Sequence, residues 1–351
     1  MISHFMSLQI DKEALLNNYN YLKNISNKNI IPVLKSNGYG MGADILTKIL
    51  HSSGQKLFAV ARYSEAHHIL SSTKLDDIQI LVFESIRETP FFTDSKNIIF
   101  SANSFDDLKL LLNNNVLPTQ IHIKLDLGFG RNGIIQKDFT KLYNYILENK
   151  YTFGGIYTHL FSVSKGDQKE LINQFKSIIT LIGKNKFSAI HIISSESFYN
   201  TDTFYIDNYL RIGQLLYGIQ EPNNINENLK KVFKLTGRIE NIKDIKENKY
   251  IGYQEKRKIK HLNHSNVAIV KFGYGDGFLK YNENTTCLIK GIEYYISSVC
   301  MDYTFINVDN RVNVGDEIEF YFDTNKFYKD FNKKIYEFLP SLSSNIVRMV
   351  K

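Results

Sequence analysis

The sequence predicts an α/β fold: a closed (β/α)8 TIM-type barrel over residues 1–225, then a mostly β domain over residues 226–351. Three observations lead there. Eight short apolar segments recur through the first two-thirds of the chain, separated in most cases by amphipathic stretches. After about residue 225 the pattern changes to short strands with polar breaks. No Gly-x-Gly-x-x-Gly follows the first strand, which counts against an open doubly wound sheet.

The eight strand candidates are Ile30–Lys35, Phe58–Ala61, Ile78–Phe83, Asn97–Phe100, Ile121–Leu125, Gly155–His159, Ala189–Ile193 and Tyr209–Gly213. Asp11 is placed to cap a helix carrying Leu15, Leu16, Tyr19 and Leu22 on one side. Ser104 is placed to cap another through Leu108, Leu111 and Leu112. Helical spacing returns over Gln168–Ile182, with Leu171, Phe175 and Ile179 on one face. The connection Glu84–Lys96 is too irregular to read as a helix. In the second domain Lys234–Ile242, Asn266–Phe272, Thr286–Ile289, Asp302–Asp309 and Glu317–Tyr321 read as strands.

Composition excludes several classes. At 351 residues and 43% hydrophobic content the chain has material for one large or two ordinary cores. Cys287 and Cys300 make no disulfide framework, so a reducing compartment, the cytoplasm, is expected. Met1 to Ser7 shows no charged segment leading into a long apolar one, and no apolar run reaches membrane-spanning length. The net charge of +7 is spread over separate lysines with no arginine-rich stripe and no zinc-finger pattern. Neither nucleic acid, membrane nor metal is therefore expected as a partner. A basic pocket for an anionic cofactor would use some of the charge.

Barrel enzymes carry their chemistry at the C-terminal ends of the strands. Here the first strand ends at Lys35, ahead of Ser36-Asn37-Gly38-Tyr39-Gly40. The fifth leads into Lys124-Leu125-Asp126-Leu127-Gly128-Phe129-Gly130-Arg131-Asn132-Gly133. The sixth ends at His159, the seventh at Ser194-Ser195, and the eighth carries Arg211 into Gly213-Gln214. Singly, each has an ordinary reading: a solvated lysine, a structural histidine, a helix-capping serine, a turn with a surface arginine. Arg211 resists that treatment, because alternation points it to the face opposite Leu210 and Ile212, into the barrel. Together the set describes one chemistry. A partly desolvated lysine forms a Schiff base with an aldehyde. Hydroxyl and backbone N–H groups at Ser195 and Gly213-Gln214 hold a phosphate. The His159 ring packs on a planar group. That is a site for pyridoxal 5'-phosphate.

On these residues the chain resembles bacterial alanine racemase, a fold-type III pyridoxal phosphate enzyme, and the resemblance runs in order over nearly its whole length. It implies that Lys35 is the cofactor lysine and Tyr39 a phosphate-side tyrosine. The run Lys124 to Gly133 is similar to the family's Lys-x-Asp-x-Gly-x-Gly-Arg-x-Gly, in which the lysine is often carbamylated and orients the arginine. Lys124 and Arg131 inherit those roles, Arg131 towards substrate; an ordinary salt-bridging lysine is the alternative at Lys124. His159 corresponds to the residue beside the pyridine ring, and His191 and Ser195 to the seventh-strand histidine and phosphate-binding serine. Arg211 to Gly218 resembles Arg-Pro-Gly-x-x-x-Tyr-Gly, with Arg211, Gly213 and Gln214 at the cofactor. In the second domain Tyr253 falls where the family has its catalytic tyrosine. Gly273 to Gly277 places Tyr274 at the entrance. Val299-Cys300-Met301-Asp302 brings the Met301 backbone to substrate, and Tyr336 binds phosphate. Departures flank these motifs: Met41 for histidine, Ser194 for asparagine, Ile212 for proline, Ser298 for arginine and Tyr303 for glutamine.

The resemblance implies a two-base racemisation of alanine. Lys35 works on one face of Cα, and Tyr253, from the partner subunit of a homodimer with shared sites, on the other. It implies supply of D-alanine for peptidoglycan in a bacterial cytoplasm. The alternatives are a racemase of broader amino-acid specificity, another fold-type III enzyme such as a decarboxylase, and a non-catalytic pyridoxal phosphate carrier. A guanidinium at the ring nitrogen argues against the decarboxylase, and the whole second domain with Tyr253, Tyr274 and Met301 against the carrier.

Overall fold

The structure, a computed structural model, describes residues 6–86, 96–161, 165–199, 206–220, 225–321, 323–331 and 335–351. The first five residues of the segment read for a leader, and most of the irregular 84–96 connection, lie outside the described residues.

The chain begins with β1 (Met6–Ile10) and α1 (Lys12–Ser26). Asp11 caps α1, its carboxylate accepting the Ala14 N–H at 2.8 Å, and Leu15, Tyr19 and Leu22 are buried. Eight parallel strands follow: β2 (Asn29–Pro32), β3 (Leu57–Val60), β4 (Gln79–Val82), β5 (Ile98–Ala102), β6 (Ile121–Lys124), β7 (Phe153–Tyr157), β8 (Phe187–His191) and β9 (Tyr209–Ile212). Strands β3 to β8 pair in chain order, and β2 pairs with β9. Bridges from Val33 to Ala59 and from Ser194 to Arg211 join the two groups, so the sheet closes as a barrel. All eight expected strands are present. The expected ends run long, however: Lys35 lies beyond β2 and His159 beyond β7, because both strands stop where the backbone turns at the barrel mouth.

The helices between strands include α2 (Lys35–Tyr39, a single distorted turn), α3 (Ala43–His51), α4 (Tyr63–Thr73), α5 (Phe105–Asn113), α6 (Phe139–Glu148) and α7 (Lys165–Ile182). Ser104 caps α5 by accepting the Asp107 N–H at 3.0 Å. The barrel wall alternates with period two. Ile30, Phe58, Ile80, Ile98, Ile121, Ile123, Ile156, Ile190, Leu210 and Ile212 face the large outer core. Ile31, Val33, Ala59, Leu81 and Ile99 form a separate cluster inside the barrel. That inner cluster fills only the side made by β2 to β5. On the side made by β6 to β9 the inward positions are His122, Lys124, Tyr157, His191 and Arg211, all buried. The barrel is thus apolar on one flank and polar on the other.

The second domain is an antiparallel sheet of β10 (Phe233–Asp244), β13 (Asn266–Val270), β14 (Thr286–Ile289), β15 (Ile292–Val299), β16 (Thr304–Val308) and β17 (Glu317–Phe320). β10 pairs with both β17 and β13, so these six strands also close on themselves and leave no free edge. β1 and β18 (Val347–Val350) extend this sheet rather than the barrel: β1 pairs antiparallel with β10 and parallel with β18. The sequence reading missed β1, β15 and β18. A small separate hairpin, β11 (Tyr250–Ile251) and β12 (Gln254–Glu255), packs on the domain through Ile251, which is buried with Ile245 and Val267. Among the described residues no helix is long and apolar enough to cross a membrane.

Candidate active site

The lysine turn is built from a backbone that most residues avoid. Ser36, Asn37 and Tyr39 have φ of 54°, 55° and 55°, with Gly38 between them at 63°. Left-handed backbone costs a non-glycine residue about 1–2 kcal/mol. The turn is held by Gly38 N–H donating to Leu34 O at 2.8 Å and Gly40 N–H to Ser36 O at 2.9 Å. Asn37 Oδ1 accepts the Ala43 N–H at 2.9 Å. Glu65, on α4, ties it to the next strand: one oxygen accepts the Ser36 N–H, the other those of Ala61 and Arg62 at 2.9 and 3.0 Å. Lys35 therefore leaves the turn towards a cavity of about 650 Å³ at the C-terminal mouth of the barrel. Burial, then the Arg131 guanidinium, lowers its pKa from the usual lysine value, with Glu65 opposing.

The cavity wall carries the cations Lys35, Arg62, Lys124, Arg131 and Arg211 against the carboxylates Glu84 and Glu196, a surplus of three positive charges. An anion is the natural occupant. On one side Ser195 Oγ accepts the Gly213 N–H at 3.0 Å, and the Tyr39 hydroxyl lies so close to Gly213 that a Cβ there would sit 2.7 Å from it. Only glycine leaves Tyr39 in place. Gln214 opens the next turn and also lines the cavity. Tyr336, in the turn Ile335–Glu337, is near enough to Tyr39 to contribute to the upward push on its hydroxyl pKa, which burial dominates. These residues and the surplus charge fit a phosphate group, and Lys35 beside them fits an aldehyde on the same molecule.

Arg131 is presented by a loop that Asp126 organises. The Asp126 carboxylate accepts the N–H groups of Gly128 at 2.9 Å, Gly130 at 3.2 Å and Arg131 at 3.1 Å. The Arg131 guanidinium then lies over the Phe129 ring, 4.5 Å from its centroid, and the same ring meets His159 edge-on at 5.2 Å. Burial and the surrounding cations hold His159 neutral, its pKa down to about 3. Lys124, inside the barrel, is pushed down to about 8 by burial, Arg131 and Arg211, with Asp126 acting the other way. Arg211 donates to His191 Nδ1 at 2.8 Å and to Thr158 O at 2.7 Å. Burial lowers its pKa to about 10, so it stays charged at neutral pH.

Four expected site residues do not line this cavity: Tyr336, noted above near Tyr39, and Tyr253, Tyr274 and Met301, which form a second group on the other domain. Tyr253 occupies the two-residue turn of the β11–β12 hairpin and is 73% exposed; Met301 is 52% exposed. Gly252, at φ 57°, supplies the positive φ the turn needs, and a Cβ there would lie 2.8 Å from Cys300 Sγ. Tyr274 N–H donates to Cys300 O at 3.0 Å and Gly275 N–H to Met301 O at 2.9 Å. The Lys280 ammonium lies 5.6 Å from the Tyr253 ring centroid and 5.5 Å from that of Tyr274.

Several site-building residues escaped the sequence reading. Glu65 entered the resemblance only as part of the second βα unit, with Phe58-Ala59-Val60-Ala61 and Ala66, and was given no role at the site. Tyr157 and His122 were accessible by alternation, sharing the inward parity of Lys124 and Arg211. Asp126 was visible as an Asx-turn former ahead of three glycines.

Residues 10–221 match the family description "Alanine racemase, N-terminal domain", and residues 232–350 match "Alanine racemase, C-terminal domain". An alanine racemase of Fusobacterium nucleatum is 31% identical over 324 residues, covering 89% of each chain. The structure of alanine racemase from E. faecalis superposes with a TM-score of 0.85 at 21% identity, over 100% of this chain and 99% of that one. That of the Bartonella henselae enzyme, solved with covalently bound pyridoxal phosphate, gives 0.82 at 22% identity over the full length of both. Barrel and second domain are thus matched in the same order along one chain, which belongs to the alanine racemase family.

Proposed function

We propose that this chain racemises alanine, interconverting the L and D forms with pyridoxal 5'-phosphate held at Lys35, and so supplies D-alanine for peptidoglycan in a bacterial cytoplasm. The observation that carries the reading is Arg211, a buried guanidinium at the cavity wall, hydrogen-bonded to the acceptors His191 Nδ1 and Thr158 O. Facing the cofactor's ring nitrogen, a permanent cation disfavours ring protonation. That favours return of a proton to Cα over the side reactions of a stronger electron sink.

Pyridoxal phosphate supplies a carbonyl that bonds the substrate amine and a conjugated ring that stabilises the charge left when Cα loses its proton. Tyr39, Ser195, Tyr336 and the N–H groups of Gly213 and Gln214 hold its phosphate. His159 packs beside the ring. Arg131 binds the substrate carboxylate. The amine of Lys35, whose lowered pKa eases deprotonation, takes or returns a proton on one face of Cα. The Tyr253 hydroxyl does so on the other.

Tyr253 is offered by the partner subunit of a homodimer, together with Tyr274 at the entrance and the Met301 backbone at the substrate. Its exposed place on the hairpin tip, away from the Lys35 cavity, supports that arrangement. Lys124, with a pKa of about 8, is sufficiently neutral to add carbon dioxide; the carbamate would put a negative charge beside Arg131.

The test is chiral analysis of L-alanine incubated with the purified protein, with and without added pyridoxal phosphate. Approach to equal D and L, abolished by Lys35→Ala, is the expected result. Bound cofactor without D-alanine would move the activity to other amino acids. No cofactor and no turnover would overturn the reading.

A further inference from the structure

The polar flank of the barrel contains a line of three buried side chains, from three strands, that only partly belongs to the cavity wall. Arg211 Nη1 lies 2.8 Å from His191 Nδ1, and His191 Nε2 lies 2.8 Å from His122 Nδ1. A guanidinium has donors and no acceptor. His191 Nδ1 must therefore accept, which leaves this ring neutral with its proton on Nε2. That N–H faces His122 Nδ1, which must accept in turn, so His122 is also neutral and carries its proton on Nε2. One cation fixes two tautomers. Burial and the Arg211 charge both disfavour protonating either ring: the pKa of His122 falls to about 3 and that of His191 well below 6.5.

The packing leaves room for this line and little else. Gly155 on β7 faces His122, and a Cβ there would lie 2.7 Å from His122 Cε1. Tyr157 stacks on the His191 ring at 4.7 Å with planes 14° apart, and its hydroxyl pairs with Ser101 at 2.8 Å. The His191 ring plane is thereby set by the Tyr157 ring.

We propose that His122 is a positioning residue that acts on Arg211 through His191. By accepting the Nε2 proton of His191 it keeps His191 Nδ1 free to receive the guanidinium. Without that acceptor the buried N–H of His191 is orphaned, which is costly. Its proton's other seat is Nδ1, where it would oppose an Arg211 N–H. The first outcome's cost favours the second, and the second loosens Arg211 at the place where it is proposed to face the cofactor ring. The consequence for reaction course rests on the racemase reading; the tautomer chain does not.

The test uses protein labelled with 15N at histidine and long-range proton–nitrogen correlation, which distinguishes protonated from acceptor ring nitrogens. In the wild type both rings are expected as Nε2–H tautomers, unchanged between neutral pH and pH 5. His122→Leu removes the acceptor, and His191 should shift towards the Nδ1–H form. His122→Asn keeps an acceptor oxygen near the Nδ1 position and should preserve the wild-type pattern. As a second readout, pyruvate formed from L-alanine per racemisation event should rise about tenfold in the leucine variant and stay near wild type in the asparagine variant.

A protonated Nδ1 on His191 in the wild type overturns the proposal by itself, whether or not the leucine variant folds. So does a leucine variant with an unchanged His191 tautomer and unchanged pyruvate yield. Expected tautomers in a protein that forms no D-alanine would refute the racemase reading while leaving the His122 chain standing.

Discussion

Glu65 is expected to control cofactor affinity without touching the cofactor. Its two oxygens accept three backbone N–H groups, from Ser36 on the lysine turn and from Ala61 and Arg62 beyond β3. Glu65→Gln keeps one oxygen. If that oxygen serves Ala61 and Arg62, the new amide NH2 faces the Ser36 N–H, donor against donor. A hydrogen bond to a charged group contributes about 1.5–3 kcal/mol, and the lower end applies to a carboxylate that is only partly buried. The turn it restrains stores strain at Ser36, Asn37 and Tyr39, on the order of 1 kcal/mol each. Loss of about 1.5 kcal/mol of restraint lets the turn relax and moves both Lys35 and Tyr39, so the dissociation constant for pyridoxal phosphate should rise about tenfold. The assay is titration of the apoprotein followed by visible absorbance, with far-ultraviolet circular dichroism to show an intact fold. Wild-type affinity in the variant would refute the account of how the turn is held.

The remaining predictions concern both halves of the site. Coexpression of Lys35→Ala and Tyr253→Phe chains, each inactive alone, should restore about a quarter of wild-type activity, because half of randomly mixed two-fold dimers carry one intact site in two; activity at background would refute sharing between subunits. Turnover should climb with pH as the Lys35 amine, freed once substrate is bound, loses its proton, with a midpoint below the usual lysine value of 10.5, read from a kcat profile. Lys124 binds fewer protons folded than unfolded between about 8 and 10.5, so uncarbamylated protein should gain stability as pH rises through that window. Its buried charge costs about 3 kcal/mol below the window, and Lys124→Met should flatten the thermal-midpoint profile measured in carbon dioxide-free buffer. Gly252→Ala would force a positive φ on alanine and a Cβ to 2.8 Å from Cys300 Sγ, so it should cut turnover by displacing Tyr253 while leaving pyridoxal phosphate affinity unchanged.

What the sequence by itself determined follows from short-range periodicity and local chemistry. The strands β2 to β9 were legible because each is an apolar run between breaks, and Asp11 and Ser104 because a cap needs only its own helix. Arg211 could be placed inside the barrel because a strand alternates faces with period two and its neighbours are Leu210 and Ile212. The grouping of Lys35, Arg131, His159, Ser195 and Arg211 at one mouth followed from strand ends in a parallel barrel.

Other features were decided only by tertiary structure, because they depend on partners distant in the chain. β1 was not among the expected strands, and its place in the second sheet comes from pairing with β10 and β18, more than two hundred residues away. The left-handed turn after Leu34 depends on Glu65, whose own sequence context resembles any helix start. The link from Arg211 through His191 to His122 requires the registers of β6, β8 and β9 to set three inward side chains within hydrogen-bond reach. Period-two alternation names the face a side chain takes, but register across a closed sheet, a non-local property, decides which side chain it meets there.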